Sequence, residues 1–203
     1  MRSRRSLIAL AVAATAALLL PLGSQADTVE VAGVKYDTQA EVGGKKLVLN
    51  GAGIRYAVVI KVYAAGLYLS EKTNDPDALL AMAGPKRLHI VALRDIDGND
   101  LGKKFTKGME ANAPREEFVK SINGVLKVAE HFAAKKELAK GESFTVDYIP
   151  GVGSQILING KVAGDPIKEP EFFTALMRIW LGKSPADDSL KEALLGIERK
   201  RRR

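Results

Sequence analysis

The chain has 203 residues, no cysteine, two histidines and a formal net charge of +7. Without thiols it can build neither a disulfide framework nor a thiolate metal site, and a cysteine nucleophile is excluded. The charge is not a nucleic-acid signal, because it sits at the ends: Arg2, Arg4 and Arg5 near the start, and five cations over residues 199–203. Subtracting those eight from the 31 Lys and Arg leaves 23 against 24 acidic residues, a net of −1 for the body of the chain.

The first 26 residues read as an address. A basic start precedes an apolar run over 7–20, broken only by Thr15, and Ser24-Gln25-Ala26 has the small-x-small form of a cleavage site. The run is shorter than the roughly 20 residues that span a bilayer. The expectation is a signal peptide over 1–26, cleavage after Ala26 and export, to the periplasm or otherwise outward. Residues 3–8 (SRRSLI) are also similar to a twin-arginine signal. Residues 27–198 then form one domain with no integral membrane segment, and 199–203 a disordered basic tail.

From Asp27 the pattern begins with strands. Residues 29–36 (VEVAGVKY) alternate, and 40–42 and 46–49 flank the Gly43-Gly44 hairpin signal. Residues 54–69 are β-branched, aromatic or small almost throughout, which predicts one long strand or two across a bend at Ala64-Ala65-Gly66. On an unbroken strand Ile54, Tyr56, Val58, Ile60 and Val62 share a core face, and Arg55, Ala57, Val59, Lys61 and Tyr63 the other.

A short helix is predicted over 74–83, a strand over 86–95, and amphipathic helices over 97–111 and 114–139. Strands at 144–149, 155–159 and 161–163 form a meander that turns at 150–154 and Asn159-Gly160. A helix over 170–181 and another from Pro185, with Ser184 as its N-cap, close the chain. Antiparallel strands with grouped helices imply an α+β layered fold with a cleft between the layers.

Few motifs carry chemistry. Gly51-Ala52-Gly53 lacks the third glycine of a dinucleotide loop, and no Walker lysine or G-x-S-x-G elbow occurs. Aromatics are not interleaved with cations, which argues against nucleic acid as a partner. His89 reads as a core or edge histidine and His131 as a solvated one on a charged helix. Arg94-Asp95 reads as a structural ion pair, and Arg178 likewise. Arg55 is different: a guanidinium on an apolar strand, just after glycines that permit tight or positive-φ backbone. Either it snorkels to solvent or pairs structurally, or it meets an anionic or enolate-like ligand.

The segments GAGIR (51–55), KVYAAGLYL (61–69), LRD (93–95) and RIWLG (178–182), followed by SPADDSLKEALL, together resemble the chalcone isomerase-like proteins, and most of all their exported bacterial branch. The resemblance spans essentially the whole chain after residue 26. It implies an open-faced β-sandwich, a large antiparallel sheet with helices layered on one face. In the plant enzymes of the family, the cleft between them cyclises a chalcone by attack of a phenolate on an enone. In a related branch the same fold binds fatty acids, with an Arg and a Tyr on the carboxylate.

By that resemblance Arg55 matches the catalytic and carboxylate-binding arginine. The enzyme's threonine falls at Tyr63, its tyrosine near Leu101, its asparagine near Gly108, and its substrate-contacting pair at Ile179 and Trp180. The arginine is kept and most of the polar set is not. The resulting expectation is a non-catalytic protein binding a small amphipathic, fatty-acid-like carboxylate among Arg55, Tyr63, Lys61, Leu101, Ile179 and Trp180, with no cofactor and no metal. Two alternatives stand: an isomerase (intramolecular lyase) that works through Arg55, and a structural or haem-binding protein with His89 or His131 on iron.

Overall fold

The computed structural model describes residues 27–197; the expected signal peptide and basic tail lie outside them. The first two reversals are set by glycine. β1 (Thr28–Val31) and β2 (Val34–Asp37) turn at Ala32-Gly33, both at positive φ, so the single strand expected over 29–36 is a two-stranded ribbon. β3 (Gln39–Val42) and β4 (Lys45–Ala57) turn at Gly43-Gly44 as expected.

The next reversal carries no such signal. β4 pairs antiparallel with β5 (Ile60–Leu69) across Val58-Val59, not at 64–66. Val58 takes φ 59°, a conformation that β-branched residues rarely adopt. The expected core face over 54–62 is therefore not one face. Val58 is 97 % exposed at the tip, and Tyr56 and Ile60 are exposed beside it.

The chain continues through α1 (Pro76–Ala81), β6 (Lys86–Ala92), β7 (Ile96–Asp97), α2 (Gly98–Asn112), α3 (Arg115–Lys120) and α4 (Ile122–Lys135). It ends with β8 (Glu137–Leu138), β9 (Ser143–Ile149), β10 (Gly153–Ile158), β11 (Lys161–Val162), α5 (Pro170–Leu181) and α6 (Asp188–Leu194). Seven strands form one antiparallel sheet in the order β11-β10-β9-β6-β5-β4-β3.

Alternation gives that sheet two apolar faces. Tyr63, Leu67, Leu88, Ile90, Phe144 and Val146 face the main core under the helices. Leu47, Leu49, Ala64 and Tyr68 face the other way, under Tyr36 of the β1–β2 ribbon. Gly66 makes that second layer possible, since a Cβ there would lie 2.5 Å from the Tyr36 ring. The fold is the expected α+β type: a large antiparallel sheet with helices layered on one face, plus a small ribbon on the other.

α5 is apolar nearly all round and buries eight of its twelve residues, which makes it the central helix of the layer. The single helix expected over 114–139 is instead α3 and α4, broken at Ser121, whose hydroxyl bonds back to the Glu117 carbonyl. Gly124 then allows close approach, because a Cβ would lie 2.4 Å from the Phe172 ring. α6 is capped by Asp187, not Ser184.

Candidate functional site

Gly51 and Gly53 let a helix lie on a strand. A Cβ at Gly51 would sit 2.0 Å from the Ala193 carbonyl oxygen, and one at Gly53 2.5 Å from the Ala193 Cβ. Neither residue has positive φ, so the glycines serve the close approach of α6 and not a turn. Asp187 fixes where that helix begins: one carboxylate oxygen accepts from the Leu190 N–H at 3.0 Å and the other from the Tyr56 N–H at 2.8 Å. Arg55 follows Gly53 on the same strand face, half-buried at the end of this contact.

Tyr63 is the cross-strand partner of Arg55. The two share a face as expected, but through the register of a hairpin and not along one continuous strand. Directly opposed residues hold their Cβ atoms about 5 Å apart. Tyr63 is 4 % exposed, and burial pushes its pKa up to about 12 against the opposing pull of the Trp180 hydrogen bond and the Arg55 charge. The phenol is therefore neutral at physiological pH. The Trp180 Nε1–H donates to its oxygen at 2.8 Å, which leaves the phenol's own proton uncommitted among the described residues.

These groups edge a cavity of ≈ 70 Å³ lined in part by Arg55, Tyr63, Leu101, Lys104, Phe105 and Ile179. No described carboxylate pairs with the Arg55 guanidinium. Arg55, Tyr63, Leu101 and Ile179 thus come together as the sequence suggests. Trp180 sits behind Tyr63, fully buried. Lys61 is not brought in: it is exposed on the hairpin opposite Tyr56, past the irregularity between Arg55 and Tyr56. Sequence reasoning missed Lys104, which lies beside Leu101 and Phe105 on α2. The helical period there would have revealed it.

The deeper cleft is filled. The Phe105 ring meets Phe132, Phe144 and Trp180 edge-on, at centroid distances of 5.5, 5.8 and 5.5 Å. Gly108 has neither amide nor room, since a Cβ would press on Ile179 at 3.1 Å.

The remaining candidates lie elsewhere. Arg178 binds Glu117 through Nε at 3.0 Å, the structural pair expected of it. Arg94 does not pair with Asp95, whose carboxylate instead accepts from the Lys140 N–H. His89 is on the ribbon side of the sheet, bonded through Nδ1 to the Thr145 hydroxyl at 2.7 Å and edge-on to Tyr36. His131 is on α4 and partly exposed. The described residues contain no cluster of His, Asp and Glu suited to a metal ion, and no described helix is long and apolar enough to cross a membrane.

Comparison with known proteins matches this architecture. The crystal structure of an Arabidopsis thaliana fatty-acid binding protein superimposes with a TM-score of 0.64 at 13 % identity, covering 83 % of this chain and 96 % of that one. At that identity the likeness is one of fold. No curated protein matches the sequence. The sequence pattern of the family described as chalcone isomerase-like matches residues 28–196, nearly all of the described chain. The chain belongs to the chalcone isomerase-like family.

Proposed function

We propose that this protein, after export, binds a small apolar carboxylate and does not transform it. The observation that carries the reading is the half-buried Arg55 guanidinium, without a carboxylate partner among the described residues, beside the Tyr63 phenol at an apolar cavity. A carboxylate placed there accepts from the guanidinium and from the Tyr63 hydroxyl, both charge-assisted hydrogen bonds. The ionisable groups that line the cavity are Arg55, Tyr63 and Lys104. No His, Asp or Glu is among the residues that line it, so the general acid–base chemistry of a cyclisation has no obvious agent. The fatty-acid binding protein of the same fold supports the same reading.

The space limits the ligand. A cavity of ≈ 70 Å³ holds about two water volumes, enough for a head group and the first carbons. The tail then runs outward over Val62 and Ile96, which also line the opening. Trp180 is the single tryptophan and touches Tyr63, so its emission reports the site.

The test is a titration of butyrate through decanoate followed by that emission, with native mass spectrometry of protein purified after export. Saturable binding that weakens at least tenfold in Arg55→Ala is the expected result. Unchanged occupancy in that variant removes the clamp, and Arg55-dependent turnover of an enone-phenol would make the protein an isomerase instead. An intact mass beginning at Asp27 checks the export step.

A further inference from the structure

The opposite end of β6 carries a second cation in an unusual setting. Ala92 of β6 pairs with Tyr63 at the Arg55 end, and Lys86 lies six residues earlier, roughly 20 Å along the strand. Parity turns Lys86 to the helix side with Leu88, Ile90 and Ala92, and it is only 4 % exposed. Its ammonium donates to the Met82 carbonyl and stands 5.3 Å from the ring centre of Tyr148, its cross-strand partner. No described carboxylate pairs with it. The nearby acids are engaged elsewhere, Glu117 by Arg178 and Glu171 by Lys120. Burial lowers the Lys86 pKa with no compensating acid. A buried ammonium without a counter-ion is costly, and a methionine of similar length would avoid that cost.

Lys86, Met82 and Tyr148 together line a groove of ≈ 490 Å³ that also takes in Pro150, Phe173 and Thr174, with Glu117 and Glu171 at its polar side. That volume lies in the range of small-molecule sites and is seven times that of the Arg55 cavity. We propose that this groove is a second ligand site, for a small organic anion with an apolar body whose carboxylate supplies the counter-ion that Lys86 lacks. The apolar body lies against Tyr148, Phe173 and Met82, and the Thr174 hydroxyl offers a second polar contact. The inference does not rest on the Arg55 reading, because the two sites share no residue.

Octanoate and its uncharged counterpart octanamide test it, read by NMR at the Met82 methyl and the Thr174 amide. In wild type and in Arg55→Ala, octanoate should shift both signals saturably. In Lys86→Met its affinity should fall at least tenfold, and in wild type octanamide should bind at least tenfold more weakly than octanoate. Absent shifts at Met82 and Thr174, equal affinity in Lys86→Met, or equal affinity for the two probes would each overturn the proposal. Should Lys86→Met fail to fold, the comparison of probes on wild type decides alone. Failure here leaves the Trp180 signal of the Arg55 site unaffected, so the two readings fail separately.

Discussion

Replacing Tyr63 with Phe removes one oxygen from the interior and tests how the site is held. In the native protein that oxygen accepts from the Trp180 Nε1–H at 2.8 Å, and Trp180 is fully buried. The variant therefore loses a hydrogen bond with a net worth of about 1 kcal/mol and strands a buried donor at a further cost of about 1–2 kcal/mol. The expected destabilisation is about 2–3 kcal/mol, which for a domain of this size lowers Tm by roughly 4–12 °C. Trp180→Phe removes the donor too, and adds a cavity penalty.

In the double variant Tyr63→Phe/Trp180→Phe the hydrogen bond is lost once and no donor is stranded, so its cost should fall short of the sum of the two single costs by about 2–3 kcal/mol. Urea unfolding by far-UV circular dichroism measures all four proteins, and tryptophan emission gives a second probe where Trp180 remains. Carboxylate binding should also weaken by roughly tenfold in Tyr63→Phe, one lost donor being worth about 1.4 kcal/mol. A Tyr63→Phe protein within about 0.5 kcal/mol of wild type, or strict additivity in the cycle, would refute the reasoning that the Trp180–Tyr63 hydrogen bond helps hold the site.

Two further outcomes follow from the packing of α6 and from a surface carboxylate. Gly53→Ala should cost about 2 kcal/mol by forcing α6 off the strand, and Ala193→Gly in the same protein should restore about half of it, measured by urea midpoints. Recovery on that background sets a steric cause apart from a backbone one. The Glu142 carboxylate is held down to about 2 by Lys135, by the Ala139 N–H and by Asn159. Its folded pKa lies below the ordinary 4.5, so its contribution is complete above pH 4.5 and is lost as pH falls towards 2. Glu142→Gln should flatten that part of the stability profile and leave it unchanged in slope near neutrality, as read by urea midpoints across pH 2–7.

The sequence showed where strands and helices lie more readily than where the chain reverses. α5 was legible to the residue, because Pro170 starts it and Gly182 follows it around a nearly continuous apolar run. The β4–β5 hairpin was not, because Val58-Val59 continues the β-branched composition of both strands through the turn. That one omission inverted the burial expected of Val58 and placed Lys61 at the site. It left Arg55 and Tyr63 together, since pairing across a hairpin and even spacing along a strand both put two residues on one face. Lys86 was invisible for a different reason. A lysine at the end of a strand looks solvated in sequence, and only the packing of Tyr148, Met82 and Phe173 around it shows that it is buried.

The filled interior and the two cations together limit how a ligand can be held. Phe105, Phe132, Phe144 and Trp180 close the space between sheet and helices, so a long apolar chain finds no room there without displacing rings that pack edge to edge. Two of the openings lie towards the two ends of β6, and at each a cation lacks a carboxylate partner among the described residues: Arg55 at one, Lys86 at the other. Apolar volume in the middle and unpaired charge at the margins favour ligands held by their heads at the edge of the layer, not swallowed by it. Chain length is then the discriminating variable. If affinity at the Arg55 site stops rising after the first few methylenes, the tail lies outside; a rise of about 0.8 kcal/mol for each added CH₂ up to decanoate would mean that the aromatic core opens to receive it.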